Sequence, residues 1–281
     1  MPLPPAIRLR VTLVLVAAVL GISSSAVLIR AMDAGPAAIA AWRCLMAAGF
    51  LAPFLPAARR ISPRDLRLIA GSGVFLGLHF GTWFASLDYT TVLRSTVFVA
   101  MVPVWTALFE WFLFGRRPAI GFALGVAGAL AGVGLLASGE GVAGWRGDLL
   151  ALVASVLWSV YLLVGQDVRQ RVPVLTYMGL VSLVASLTMW PVAFAMGEAV
   201  WGFSTNTWLL LVVATLGPQL MGHQGFSYAV KYVPASTIAA IMLLEPVGST
   251  ILAALVLDEW PPVTAVLGGL VVMAGVGLAL R

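Results

Sequence analysis

The sequence predicts an all-α integral membrane protein of ten transmembrane helices, arranged as two inverted five-helix repeats. Three observations carry that prediction: a composition too apolar for any soluble core, ten apolar runs of near-spanning length, and an internal match at one fixed offset. Hydrophobic residues make up 61% of the 281 and charged ones only 10%, with a mean hydropathy of +1.04. Lipid is therefore the solvent for most of the chain.

The runs fall at roughly 11–30, 34–56, 66–88, 92–114, 119–137, 147–165, 174–196, 206–230, 234–257 and 261–280. Short loops rich in Pro, Gly and charge separate them, as at Pro56 to Pro63, Gly115 to Pro118 and Gly139 to Gly147, and none is long enough to hold a soluble domain. The first run imitates a secretory signal, with Arg8 and Arg10 before a short apolar core and Ser24-Ser25-Ala26 as a cleavage site. It is read as a true span because its apolar stretch continues past Ala26 and because the sixth helix needs a partner in the repeat.

That repeat is gapless at an offset of 143 residues between the fourth-fifth and ninth-tenth runs. Tyr89 matches Tyr232, Pro103-Val104 matches Pro246-Val247, Pro118 matches Pro261 and Gly125 matches Gly268. The pentapeptide Ala131-Gly132-Val133-Gly134-Leu135 recurs as Ala274-Gly275-Val276-Gly277-Leu278. Residues 1–139 and 140–281 are thus expected to be two copies of one unit. Five helices per copy is an odd number, so the second copy enters the membrane from the opposite face, a pattern found in many secondary transporters.

Charge placement tests this independently. With the N-terminus inside, twelve of the sixteen Lys and Arg residues fall in inside segments, three (Arg30, Arg94, Arg146) fall outside, and Arg43 lies within a span. The bias predicts both termini in the cytoplasm. Matched loops also change sign: Gly115-Arg116-Arg117 inside corresponds to Asp258-Glu259-Trp260 outside, and Asp88 outside to Lys231 inside. Trp145, Trp201 and Trp260 fall at outer boundaries, where an amphipathic ring is comfortable.

Within the spans a few residues stand out. Glu245 sits mid-run with Pro246 directly after it, and a carboxylate at that depth costs on the order of 3 kcal/mol unless it faces a partner or a wet cavity. It is either a functional acid or a protonated one serving as interhelical glue. Pro246 and its match Pro103 remove a backbone donor, so each is a helix-bending point or a packing kink. Arg43, about nine residues into the second run, faces the same cavity as Glu245, pairs with it, or snorkels outward.

Polar-aromatic stripes follow helical spacing on the eighth run (Thr215, Gln219, His223, Phe226), the third (His79, Thr82, Trp83, Ser86) and the sixth (Ser155, Trp158, Ser159, Gln166). They line a substrate path or serve interhelical hydrogen bonding. The expected cavity set is Arg43, His79, Trp83, Trp158, Gln219, His223 and Glu245.

Other chemistries find no support. His79 and His223 lie in no ligand motif, so neither a metal site nor a cofactor is expected, and Ser23 to Ser25 have no nearby base for nucleophilic catalysis. The single Cys44 excludes an intrachain disulfide. The net charge of +5 sits in short loops without an aromatic-interleaved patch, which argues against nucleic acid. Gly121, Gly125, Gly128 and Gly132 form small-xxx-small pairs on the fifth helix, a packing face that serves internal or external contacts alike. A monomer is among the states they allow.

Leu244-Glu245-Pro246-Val247, ending in Leu257-Asp258-Glu259, and its weaker twin Val102-Pro103-Val104, ending in Phe114-Gly115-Arg116, carry a resemblance. The chain resembles the drug/metabolite transporter superfamily, specifically its ten-helix permeases with two EamA-type repeats and most closely the amino-acid exporters. It departs from the family's frequent Gly-Glu at the end of the fourth helix, having Gly115-Arg116 there. The resemblance implies helices one to four and six to nine around a central cavity, with the fifth and tenth outside as support. It also implies export of amino acids or similar small metabolites across a bacterial inner membrane by alternating access. A multidrug or quaternary-ammonium efflux carrier, with Glu245 as the cation site, is the alternative; a membrane-embedded enzyme or receptor fits less well.

Overall fold

The computed structural model describes residues 4–90, 92–136, 144–257, 260 and 263–280, and is all-helical among them, with no strand. The first run forms α1 (Pro5–Ser23) and α2 (Ser25–Arg30), the second α3 (Pro36–Phe50) and the third α4 (Pro63–Ser86). The fourth forms α5 (Val92–Val99) and α6 (Val102–Phe114), and the fifth α7 (Ile120–Leu136). Then come α8 (Trp145–Val168) and α9 (Val174–Ala195). The eighth run is composite: α10 (Thr205–Ala214), a π-helical stretch Thr215–His223, and α11 (Gln224–Ala229). The last two runs give α12 (Ala235–Met242), α13 (Glu245–Leu257) and α14 (Val263–Ala279).

Among the described residues, five helices are long and apolar enough to cross a bilayer: Pro5–Arg30, Pro63–Ser86, Trp145–Val168, Val174–Ala195 and Ala235–Leu252. A sixth candidate is the bent pair of α3 and the 3-10 stretch Ala52–Arg60. The protein is a multi-pass membrane protein. One expectation needs correcting here: the second run is α-helical only to Phe50, after which the chain turns by 76°. Pro53 and Pro56 explain the turn, since neither can donate to a continuing α-helical ladder.

Helix ends follow local chemistry. Ser62 caps α4 by accepting from the Asp65 amide at 3.1 Å, with Pro63 in the first turn, where its missing N–H costs nothing. Gly115, at φ 67°, ends α6 in the left-handed region that glycine tolerates, and the Arg116 amide returns to the Glu110 carbonyl at 3.1 Å. The fourth and ninth runs break at matching places: α5 ends at Val99 and α12 at Met242, while α6 starts at Val102 and α13 at Glu245. Pro103 and Pro246 are therefore the second residues of new helices, one step past each break, rather than kinks inside a continuous one.

In the main core α4 packs against α8 and α9, α3 against α9, α1 against the π-helical stretch and α11, α5 and α6 against α8, and α12 and α13 against α1. Outside it, α7 and α14 pack against each other around a small core of their own, Ala129, Val133, Leu243, Val272 and Val276. Glycines set that seam. A methyl group on Gly132 would stand 2.8 Å from the Gly268 carbonyl oxygen, and one on Gly275 would stand 2.7 Å from the Gly125 carbonyl oxygen. Gly125 and Gly132, seven apart, make the close approach; Gly121 faces open space and Gly128 meets α14 only at 3.9 Å, so the small-xxx-small pairs are not the packing unit.

Candidate functional site

The site is built where α1–α2, α3, α4, α8, the π-helical stretch and the α12–α13 break converge. Arg43 on α3 is fully buried. Its Nε donates to Gln219 Oε1 at 3.1 Å, its Nη1 donates to Ser25 Oγ at 3.1 Å, and its guanidinium carbon lies 4.5 Å over the Phe80 ring. Those bonds exclude snorkelling: the cation is turned inward. No ion pair joins it to Glu245.

Beside this cation lies a small hollow. His79, Trp83, Trp158, His223, Glu245 and Ser25 line it, closed by Ile22, Val99 and Met242. It holds about one water molecule. A second hollow of the same size shares Val99, Met242 and Glu245 and runs to both helix breaks, at Pro103 and Pro246. Neither hollow, as it stands, has room for an organic solute.

The walls are mostly aromatic. Ring centroids of Trp158 and His223 are 4.3 Å apart, His79 and Trp158 4.8 Å, His223 and Phe80 4.8 Å, and His79 stacks near Trp83 at 5.9 Å. The ring position of His79 is fixed by a 2.8 Å bond between Nδ1 and the Ala154 carbonyl. Glu245 is the first residue of α13, where the half-helix presents unpaired amides and its positive end. The Glu245 carboxylate makes no hydrogen bond or ion pair among the described residues.

Five of the seven expected cavity residues thus share one hollow, and Arg43 with Gln219 stands directly behind it through Ser25. The stripes hold in part. Thr215, Gln219, His223 and Phe226 are all buried. Thr82 is half-buried and bonds back to the Leu78 carbonyl, and Gln166 instead caps α12 by accepting from the Ala235 amide at 3.0 Å.

Sequence reasoning missed three features. Ser25 is Arg43's partner, which its run of serines did not reveal. The eighth run is π-helical around Pro218, a non-standard turn often seen at functional sites; Gly217-Pro218 inside an apolar run was the available signal. Glu110 is a further buried acid, with Oε1 unpartnered, and stood as a lone acid in the fourth run. Gly139, Asp258, Glu259 and Pro261, with Arg281, one of the twelve inside charges, lie outside the described residues, as does the Arg94 side chain.

At the basic end of the bundle, Arg171 bonds Asp65 at 2.7 Å and Asp167 at 2.8 Å, tying the start of α4 to the α8–α9 turn. Hydrogen bonds donated to these two carboxylates raise the Arg171 guanidinium above its ordinary pKa. At the other end Glu198 accepts from the Ala37 and Ala38 amides at 3.3 and 2.8 Å, a carboxylate seated on the start of α3. Trp42 donates to the Val200 carbonyl at 2.8 Å inside a cluster with Trp190, Trp201 and Trp208.

Helices of membrane-spanning length around a buried polar-aromatic hollow define a helical membrane protein with an internal polar site. Residues 9–138 and again 145–281 match the EamA-like transporter family, and the chain belongs to that family. It is similar to two proteins named only as uncharacterized transporters: one from Archaeoglobus fulgidus, 26% identical over 76% of this chain and 74% of that one, and one from Clostridium kluyveri, 24% identical over 77% and 72%. A crystal structure at 22% identity shares the fold, with a TM-score of 0.77 over 96% of both chains.

Proposed function

We propose that this transporter exports amino acids with aromatic or other apolar side chains, or related small metabolites, across a bacterial cytoplasmic membrane by alternating access. The observation that carries the reading is the gathering of Trp83, Trp158, His79, His223 and Glu245 on one hollow, with the Arg43 cation behind it. Indole faces suit an apolar side chain; the cation and the acid suit a zwitterionic end.

Ten spans in two inverted five-helix copies, 1–139 and 140–281, give the frame, with both termini cytoplasmic. Three things support it. The family pattern occurs twice along the chain. Packing pairs exchange under the 143-residue offset: α4 on α8 matches α1 on the π-helical stretch, and α5 and α6 on α8 match α12 and α13 on α1. The Gly132–Gly268 and Gly275–Gly125 approaches are the same contact seen from either copy. The breaks at Pro103 and Pro246 and the π-helical stretch are where we place the bending.

The test is a substrate panel in proteoliposomes, with and without an imposed pH gradient. Unchanged flux in both Trp158→Ala and His223→Ala would remove those residues from the mechanism. A second reading, efflux of multidrug or quaternary-ammonium cations, is favoured by the unpaired Glu245 carboxylate beside aromatic rings. Under that reading Glu245→Gln abolishes cation transport.

A further inference from the structure

The buried polar atoms around the hollow do not balance. Arg43 Nη2, Gln219 Nε2, Trp83 Nε1 and Trp158 Nε1 are all buried N–H donors with no partner among the described residues, and His223 Nδ1 is unpartnered too. Acceptors nearby are mostly used: Gln219 Oε1 and Ser25 Oγ accept from Arg43, and the Ala154 carbonyl is bonded to His79. Among the described residues Glu245 supplies the one free carboxylate on the hollow.

A buried donor without an acceptor costs about 1–3 kcal/mol, and a guanidinium N–H more. Native folds leave only a few such groups per hundred residues, and here four definite donors cluster around one site. A single water, which is what the hollow holds, accepts two hydrogen bonds at most and cannot serve them all.

We propose that the group this site is built to receive is an acceptor-rich anion, a substrate carboxylate, and that the substrate's amino group is secondary. The inference rests on the transporter reading of the same hollow and narrows it. A carboxylate brings about four lone-pair positions and no donor, which is what the guanidinium, the amide and the two indole N–H groups lack. An ammonium group brings three more donors to a site whose one free carboxylate among the described residues is Glu245. An amine without a carboxylate therefore leaves Arg43 and both indole N–H groups as orphaned as before, whatever Glu245 and the ring faces do to hold it. The indoles act twice, offering an N–H edge to the carboxylate and an apolar face to the body of the solute.

The experiment compares three solutes with one phenyl body: phenylalanine, 3-phenylpropanoate (carboxylate only) and phenethylamine (ammonium only). Binding to the purified full chain is read as ligand-induced thermal stabilisation, alongside uptake of labelled phenylalanine into proteoliposomes. Phenylalanine and 3-phenylpropanoate are expected to bind within about tenfold of each other and phenethylamine at least tenfold more weakly, a gap set by one charge-assisted hydrogen bond.

Arg43→Gln is expected to weaken 3-phenylpropanoate at least tenfold. Arg43→Lys, which keeps the cation, serves should the glutamine variant not fold, and Trp83→Phe and Trp158→Phe each remove one indole N–H while leaving a smaller aromatic face. Phenethylamine binding as tightly as phenylalanine while 3-phenylpropanoate fails to bind overturns the inference and leaves the amino-acid exporter standing. Binding and uptake of none of the three overturns both.

Discussion

Arg43 and Gln219, 176 residues apart in sequence, meet through a 3.1 Å hydrogen bond between buried side chains. It joins the second run to the π-helical stretch of the eighth, and so the first half of the chain to the second. Each partner is left with one nitrogen unpaired.

That bond makes Gln219 a support for the cation. Gln219→Leu removes the acceptor and leaves Arg43 Nε buried and unpaired, at a cost of about 2 kcal/mol. A fall of several degrees in the melting temperature in detergent is expected. Gln219→Glu, which keeps an acceptor and adds a counter-charge, is expected to melt above Gln219→Leu; equal melting of the two would mean the bond contributes nothing.

The α7–α14 seam makes a sharp contrast among glycines. Gly132→Ala and Gly275→Ala place a methyl 2.8 and 2.7 Å from backbone oxygens, an overpacking that costs about 1–3 kcal/mol. Gly121→Ala and Gly277→Ala meet nothing within 4 Å and are expected to be neutral or slightly stabilising. Thermal stability of the four variants decides it.

Gly35 and Glu198 act as a pair. A methyl on Gly35 runs into the Glu198 carboxylate and displaces it from the amides at the start of α3. Gly35→Ala and Glu198→Ala are each expected to cost about 1 kcal/mol, the usual value of a lost cap. The double variant should be little worse than either single one, because both remove the same interaction. Additive losses in a melting experiment would count against the coupling.

Arg171 offers a test of closure at the basic end. Arg171 is 43% exposed, so its bonds to Asp65 and Asp167 are screened and their stability value is at most about 1 kcal/mol. Reversal is a stronger perturbation. Arg171→Asp sets three carboxylates together and is expected to open this end, raising the rate at which a membrane-permeant maleimide modifies Cys44, the chain's single cysteine, buried beside Arg43. Adding Asp65→Arg should bring the rate back down.

The linear pattern of the sequence determined a good deal. Hydropathy, the prolines and glycines between runs, and the 143-residue match depend only on residue type and spacing, so they point to the helical membrane class, the family and most of the helix ends without any packing. Glu245 and Arg43 were legible for the same reason: an ionisable group among apolar residues is conspicuous wherever it ends up. Glu110, the lone acid of the fourth run, carries the same signal.

Only the tertiary structure decided which polar groups meet. Ser25 against Arg43, Gln166 on α12 and Glu198 on α3 are contacts between segments whose register is set by close approaches such as Gly21 to Gly217 and Gly222, where absent side chains let backbones touch. The spacing along one helix says which residues share a face, but not how far that face is rotated against another helix. The same holds for what stays unpaired. Four donors left without acceptors around one hollow are a property of several helices at once, and that imbalance sets the chemistry the site has room to bind.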